Sequence, residues 1–261
     1  MKLCIRAHDL GVKGTPAILA ELNRLGLDGV QMVCYKAYED ISYQGGAITQ
    51  EKARAIGEAF ARDGKIIPLV GAYFNPVHSN PVKVENGVQV FSDYLRTCKA
   101  MGCVCVGSET GSFNDDKWTY HPGTRTEEAL QTVVDTFSGL CDVAAEAGST
   151  VAMEGAAGHV CWNVATLARA RKRIGKETKV IFDLYNYLDE TNQRDYLAMN
   201  TLVHGHIGAD GNGIFQNLPA LLFCPAPVQG FRPFLQGGDK QGVVLVVLGK
   251  ACDVGGAVGK F

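Results

Sequence analysis

Two carboxylates and a pair of histidines stand where three apolar runs of this 261-residue sequence end: Glu154 after VAM, Asp183 after VIF, and His204 with His206 in LVHGHIGAD. Along a strand, residues two apart project to the same side. One or both imidazoles of LVHGHI can therefore face a pocket, and a glutamate, an aspartate and a histidine from three consecutive strands make a mixed N/O donor set for a divalent cation. Polar side chains follow other apolar runs too: His8 with Asp9, Tyr35, Tyr73 with Asn75 and His78, Ser108 with Glu109, and Asn186. Singly, each of these could cap a helix or tie a loop. Their recurrence at strand ends is what makes them a candidate site.

The elements that would position them form a repeating unit. Five times a helix-like segment closes on a glycine, at 26, 64, 102, 148 and 175, and a short β-rich run follows. Glycine is the expected residue for a left-handed helix C-cap. The helical segments are amphipathic and open on Thr15 with Pro16, Thr49, Thr126 and Asn163, which are residues suited to helix N-termini. The β runs KLCIRAH, GVQMVC, KIIPLVGAY, CVCVG, TVAME, KVIFD and TLVHGHI are nearly continuous in apolar residues, as strands covered on both faces are. GVVLVVLG at 242–249 supplies an eighth. The count predicts an α/β protein, a (β/α)8 TIM barrel forming a single domain over 1–261, with its functional face at the C-terminal strand ends. A doubly wound open sheet competes, but no GxGxxG follows the first strand.

Composition sets the context. A formal net charge of −2 gives no overall electrostatic reason for a nucleic-acid partner. MKLCIRAHDL lacks the apolar core of a signal peptide, and no run approaches the length of a membrane span, so a cytoplasmic protein with no membrane partner is expected. The nine cysteines are dispersed without a CxxC pair; Cys103 and Cys105 read as small buried hydrophobes on one face.

The order VAMEG, VIFDLYN, LVHGHI, with YFNPVHSNP after the third strand and GSETGS after the fourth, resembles the xylose-isomerase-like barrel superfamily, and within it the sugar phosphate isomerase/epimerase group. The resemblance runs to about residue 207, where the motif pattern stops. It implies one Mn2+ or Mg2+ held by a glutamate, an aspartate, a histidine and a second glutamate from strands five to eight. The first three fall on Glu154, Asp183 and His206. His206 is preferred to His204 because the family histidine lies beside a following Lys-Asp pair, of which Asp210 is the nearest remnant. Isomerising or epimerising beside a carbonyl means removing a C–H proton and returning it, through an enediolate, or shifting a hydride. Glu154 is then the catalytic base as well as a metal ligand. His8, Asn75, His78, Glu109 and Asn186 would orient the hydroxyls of a small sugar or sugar phosphate, and a homo-oligomer is in keeping with the relatives.

The second glutamate is missing. From 205 to 261 the only acids are Asp210, Asp239 and Asp253, and the last glutamate of the chain is Glu190. The same stretch holds 12 of the 31 glycines. PALLFCPAPVQGFRPFLQGGDKQ has too many prolines and glycines for the amphipathic helix a seventh unit needs. An irregular or degraded C-terminal part is expected over about 208–261, as a shift of reading frame would produce, and the metal would be weakly held. A non-catalytic sugar-binding barrel is the alternative function. An abasic-site endonuclease fits less well, because Asn186 stands where that group has a histidine.

Overall fold

The computed structural model describes residues 2–183, 185–187, 213–216 and 245–248. Eight parallel strands close into a barrel in sequential order: β1 (Lys2–Arg6), β2 (Gly29–Met32), β3 (Ile66–Gly71), β4 (Cys105–Glu109), β5 (Thr150–Glu154), β6 (Thr178–Asp183), β7 (Gly213–Gln216) and β8 (Leu245–Leu248). The first six are the runs expected from sequence, and β8 falls within GVVLVVLG. The seventh differs. The place beside Asp183 is taken by Gly213–Gln216, with Asp183 in register with Gln216. The short stretch GIFQ offers two adjacent apolar β-formers, Ile214 and Phe215, between Asn212 and Asn217, a composition as strand-like as that of LVHGHI. Residues 188–212, including His204, His206 and Asp210, lie outside the described residues.

Helices α1 (Thr15–Leu25), α2 (Cys34–Ala37), α3 (Gln50–Arg62), α4 (Pro81–Thr97), α5 (Glu127–Ala147) and α6 (Val164–Ile174) connect the first six strands. Side-chain caps start four of the long ones: the Thr49 oxygen accepts from the Lys52 amide, Asn80 from Val82, Thr126 from Ala129 and Asn163 from Thr166, each cap contributing about 1 kcal/mol. Thr15 is the exception. It is the first helical residue, after Gly14, and its hydroxyl bonds to that of Tyr38 at 2.9 Å. All five unit-ending glycines have positive φ, between 63° and 74°, so the chain leaves each helix through a conformation that costs other residues strain.

The core lies between barrel and helices. Phe74, Phe91 and Phe137 meet with ring centroids 6.1–6.3 Å apart and are nearly or fully buried, and Phe60, Leu22, Ile18 and Ile56 of the helices belong to the same buried cluster. Inside the barrel, Gly107 leaves the space that Ile181 fills; a Cβ there would overlap the Ile181 Cδ1 atom. All seven described cysteines are free and buried. Cys103 and Cys105 are each 2% exposed, and burial pushes the Cys105 thiol up to about 12, so neither is an exposed reactive thiol. Among the described residues no helix is long and apolar enough to cross a membrane.

Candidate active site at the barrel mouth

Three carboxylates end three consecutive strands. Glu109 and Glu154 close β4 and β5 as direct register partners, and Asp183 closes β6 two residues beyond Ile181, the partner of Glu154. Paired residues on neighbouring strands of a sheet share a face, so the register brings the acids to one side of the wall at the C-terminal mouth. Glu154 and Asp183 are each 2% exposed, and Glu109 is half-buried. Burial raises the Glu154 carboxyl well above its ordinary range, and the charges of Glu109 and Asp183 add to the shift. The same two causes, burial and then Asp183, push Glu109 up to about 7. Arg6 at the end of β1 and Lys36 in α2 oppose this: both lower the Glu109 value, and Arg6 also lowers that of Glu154.

Glu154 is held from two sides. Asn186, in the single 3-10 turn Tyr185–Tyr187 after β6, donates its amide to Glu154 Oε1 at 2.7 Å. Tyr73, two residues past β3, donates its hydroxyl to Oε2 at 3.2 Å. The Asn186 turn is itself fastened by the Ala157 amide donating to the Asn186 carbonyl at 2.7 Å. His8 lies in the 3-10 turn Ala7–Leu10 that follows β1. Burial first and Lys36 second lower its pKa, which keeps the ring neutral at pH 7. Its Nδ1 is buried without a hydrogen-bond partner among the described residues.

Asn75 and His78 sit in another setting. The Asn75 amide donates to the carbonyls of Ser112 and Asp115 at 2.6 and 3.0 Å, and its oxygen accepts from the Val77 and Ser112 amides. His78 faces Asp116 at 3.2 Å and accepts from the Asn80 amide at 2.9 Å. Both therefore bind the loop after β3 to the loop after β4. The loops after β4 and β5 are joined in turn by Arg125, whose guanidinium lies 4.8 Å from the Tyr120 ring and 4.2 Å from that of Trp162. Of the sequence candidates, the structure thus gathers Glu109, Glu154, Asp183 and Asn186 at the mouth, with His8 across it, and places Asn75 and His78 in the rim.

Arg6, Lys36, Gln31 and the hydroxyl of Tyr73 belong to the mouth without having been assigned roles from sequence. Gln31 carried a signal, as the one polar side chain within the fully buried strand GVQM. Among the described residues no group of three His, Cys, Asp or Glu side chains is arranged to hold an ion. The donor chemistry nevertheless fits a hard divalent cation. Buried like-charged carboxylates with raised pKa values are stabilised by a positive charge between them, and Glu154 and Asp183 are the most deeply buried of the three.

Residues 19–216 match the family model described as the xylose isomerase-like TIM barrel. The chain belongs to this family. No curated protein sequence matches it. Among solved structures, this member of the xylose isomerase-like barrels is similar to the IOLI protein with a binding zinc atom, at 14% identity over 83% of this chain and 72% of the other, with a TM-score of 0.60. It is similar to a D-psicose 3-epimerase crystallised with D-fructose, at 14% identity over 95% and 84%, TM-score 0.65. It is also similar to endonuclease IV from Thermus thermophilus, at 14% identity over 95% and 92%, TM-score 0.62. At such identities the likeness establishes the barrel, and the chemistry must be argued from the site.

Proposed function

We propose that this chain is a divalent-metal-dependent isomerase or epimerase of a small sugar or sugar phosphate. The observation that carries the reading is the set of three acids ending β4, β5 and β6, with Glu154 buried and both of its oxygens hydrogen-bonded. Moving a proton beside a carbonyl needs a carboxyl group whose pKa lies nearer neutrality than that of a surface acid, and this site raises two of them. Glu154 takes the proton from the substrate carbon onto a carboxylate oxygen. Glu109 at the end of β4 and His8 in the turn after β1 orient hydroxyls; the neutral His8 ring can accept or donate one such bond. Asn186 keeps the Glu154 carboxylate in place. Asn75 and His78 shape the rim by tying its loops. Glu154 and Asp183, with His206, would hold Mn2+ or Mg2+, and the ion would stabilise negative charge on the substrate oxygens.

The similarity to a D-psicose 3-epimerase crystallised with D-fructose favours a ketose as the substrate. The test is a screen of aldoses and ketoses, free and phosphorylated, with and without Mn2+, read by sugar chromatography. Interconversion that needs the metal and is lost in Glu154→Gln supports the proposal. Sugar binding without turnover would make the chain a binding barrel, and incision of abasic-site DNA would move it to the endonuclease reading.

A further inference from the structure

Gln31 is an unexpected residue for the interior of a barrel. It lies on β2 at 0% exposure, in register with Arg6 on β1 and Leu69 on β3. A buried amide is costly unless it is hydrogen-bonded, and an aliphatic side chain would fill the same space without that cost. Its Nε2 donates to the Tyr73 hydroxyl oxygen at 2.6 Å. With an N–H directed at its oxygen, the phenol has its own proton to give, and it gives it to Glu154 Oε2. The Tyr73 ring is placed by its surroundings as well. It lies over Gly71, where a Cβ would run into the ring edge, and the Tyr73 backbone carbonyl accepts from the Tyr43 hydroxyl at 2.9 Å. Two neutral side chains from β2 and the end of β3 thus reach across the barrel to one carboxylate on β5.

We propose that Gln31 and Tyr73 are positioning residues that fix the orientation of the Glu154 carboxylate, Gln31 acting only through Tyr73, so that Glu154 presents its remaining oxygen lone pairs to the mouth. The proposal rests on the reading of Glu154 as the central acid of the site. The arrangement gives Glu154 one brace on each oxygen, Tyr73 on Oε2 and Asn186 on Oε1, and a carboxylate bonded on both sides cannot rotate to a different set of lone pairs without breaking one bond. Outer partners of a ligating carboxylate are commonly worth about 10- to 100-fold in metal affinity or activity.

The test uses the full chain and the variants Tyr73→Phe, Gln31→Met and their combination. Methionine keeps the length of glutamine and lacks the donor. In Mn2+ titrations followed by electron paramagnetic resonance, each single variant should weaken binding about tenfold. The double variant should bind no more weakly than Tyr73→Phe alone, because Gln31 has no other route to Glu154. A role in packing alone predicts the reverse: additive losses of melting temperature with Mn2+ affinity unchanged. That result overturns the proposal. A second readout needs no metal. The side-chain amide signal of Gln31 in 1H–15N spectra, identified by its loss in Gln31→Met, should move in Tyr73→Phe and again in Glu154→Gln. If the unaltered chain binds no Mn2+, the metal reading fails, and these spectra then decide the positioning role. A Gln31 signal indifferent to both substitutions refutes it.

Discussion

Glu109→Gln should make the metal-free protein more stable at pH 8 and remove part of its pH dependence. The Glu109 carboxyl rises from 4.5 to about 7 on folding, chiefly through burial and then through the charge of Asp183. Between those values the folded state binds more protons than the unfolded state, so stability falls as pH rises from about 4.5 and levels off above about 7. A shift of about 2.5 units corresponds to roughly 3 kcal/mol; with half-burial and relaxation, about 2 kcal/mol is the expected size. No hydrogen bond to the Glu109 carboxylate occurs among the described residues, so the amide sacrifices no partner there. Thermal melts of protein stripped with chelator should show Glu109→Gln melting higher than the unaltered chain by about 4–8 °C at pH 8, and no higher at pH 4. Asp183→Asn should flatten the slope in part, since Asp183 is the second cause of the shift. Mn2+ should also flatten it in the unaltered chain, because a cation beside the acids favours their charged forms. Equal pH slopes for Glu109→Gln and the unaltered chain, or a lower melting point for the variant at pH 8, would refute the argument that these acids repel one another in the folded state.

Glu154→Gln keeps the shape and can keep both hydrogen bonds by turning its amide toward the Tyr73 oxygen, yet it loses a charge and a proton acceptor; turnover should drop by about 100-fold or more while Mn2+ binding weakens in parallel. Unchanged turnover excludes its role as base. His206→Ala should weaken Mn2+ binding more than His204→Ala; the reverse order in calorimetric titrations would transfer the ligand role to His204. Asn75→Ala strips partners from two backbone amides and two carbonyls between the rim loops, so chemical denaturation should show a loss of about 2–3 kcal/mol. Because Asn75 serves the loops, KM should change little, and a large rise in KM with unchanged stability would return it to the substrate.

What could be read from the sequence follows the physics of each signal. Six strands, the Thr49, Thr126 and Asn163 caps and the glycine C-caps depend on local pattern, so apolar runs and cap chemistry located them. Glu109, Glu154 and Asp183 were legible because an acid directly after a buried strand has few places to go except the mouth. The seventh strand was not. LVHGHI and GIFQ have similar local pattern, and the choice between them is made by which segment can pair with Val180–Asp183, a nonlocal condition that periodicity does not contain. The surroundings of Asn75 and His78 were not legible for a related reason: a polar residue just past a strand looks the same in sequence whether it faces the axis or the adjacent loop. Only the position of Ser112 and Asp115 distinguishes the two.

Gln31 and Tyr73 show how the closed topology turns such nonlocal contacts into a site. They are 42 positions apart in sequence, and Tyr73 and Glu154 are 81 apart, yet each bond joins strands that are adjacent or separated by a single strand of the barrel. Side chains entering the interior from β2, β3 and β5 meet because closure places inward-facing positions around one axis. The small residues Gly71 and Gly107 leave the room into which Tyr73 and Ile181 extend. A larger residue at Gly71 would displace the Tyr73 ring, and with it the hydrogen bond to Glu154 Oε2. The composition of the barrel lining and the orientation of the central acid are therefore one problem: glycine on β3 is what allows a tyrosine beyond β3 to hold a glutamate on β5.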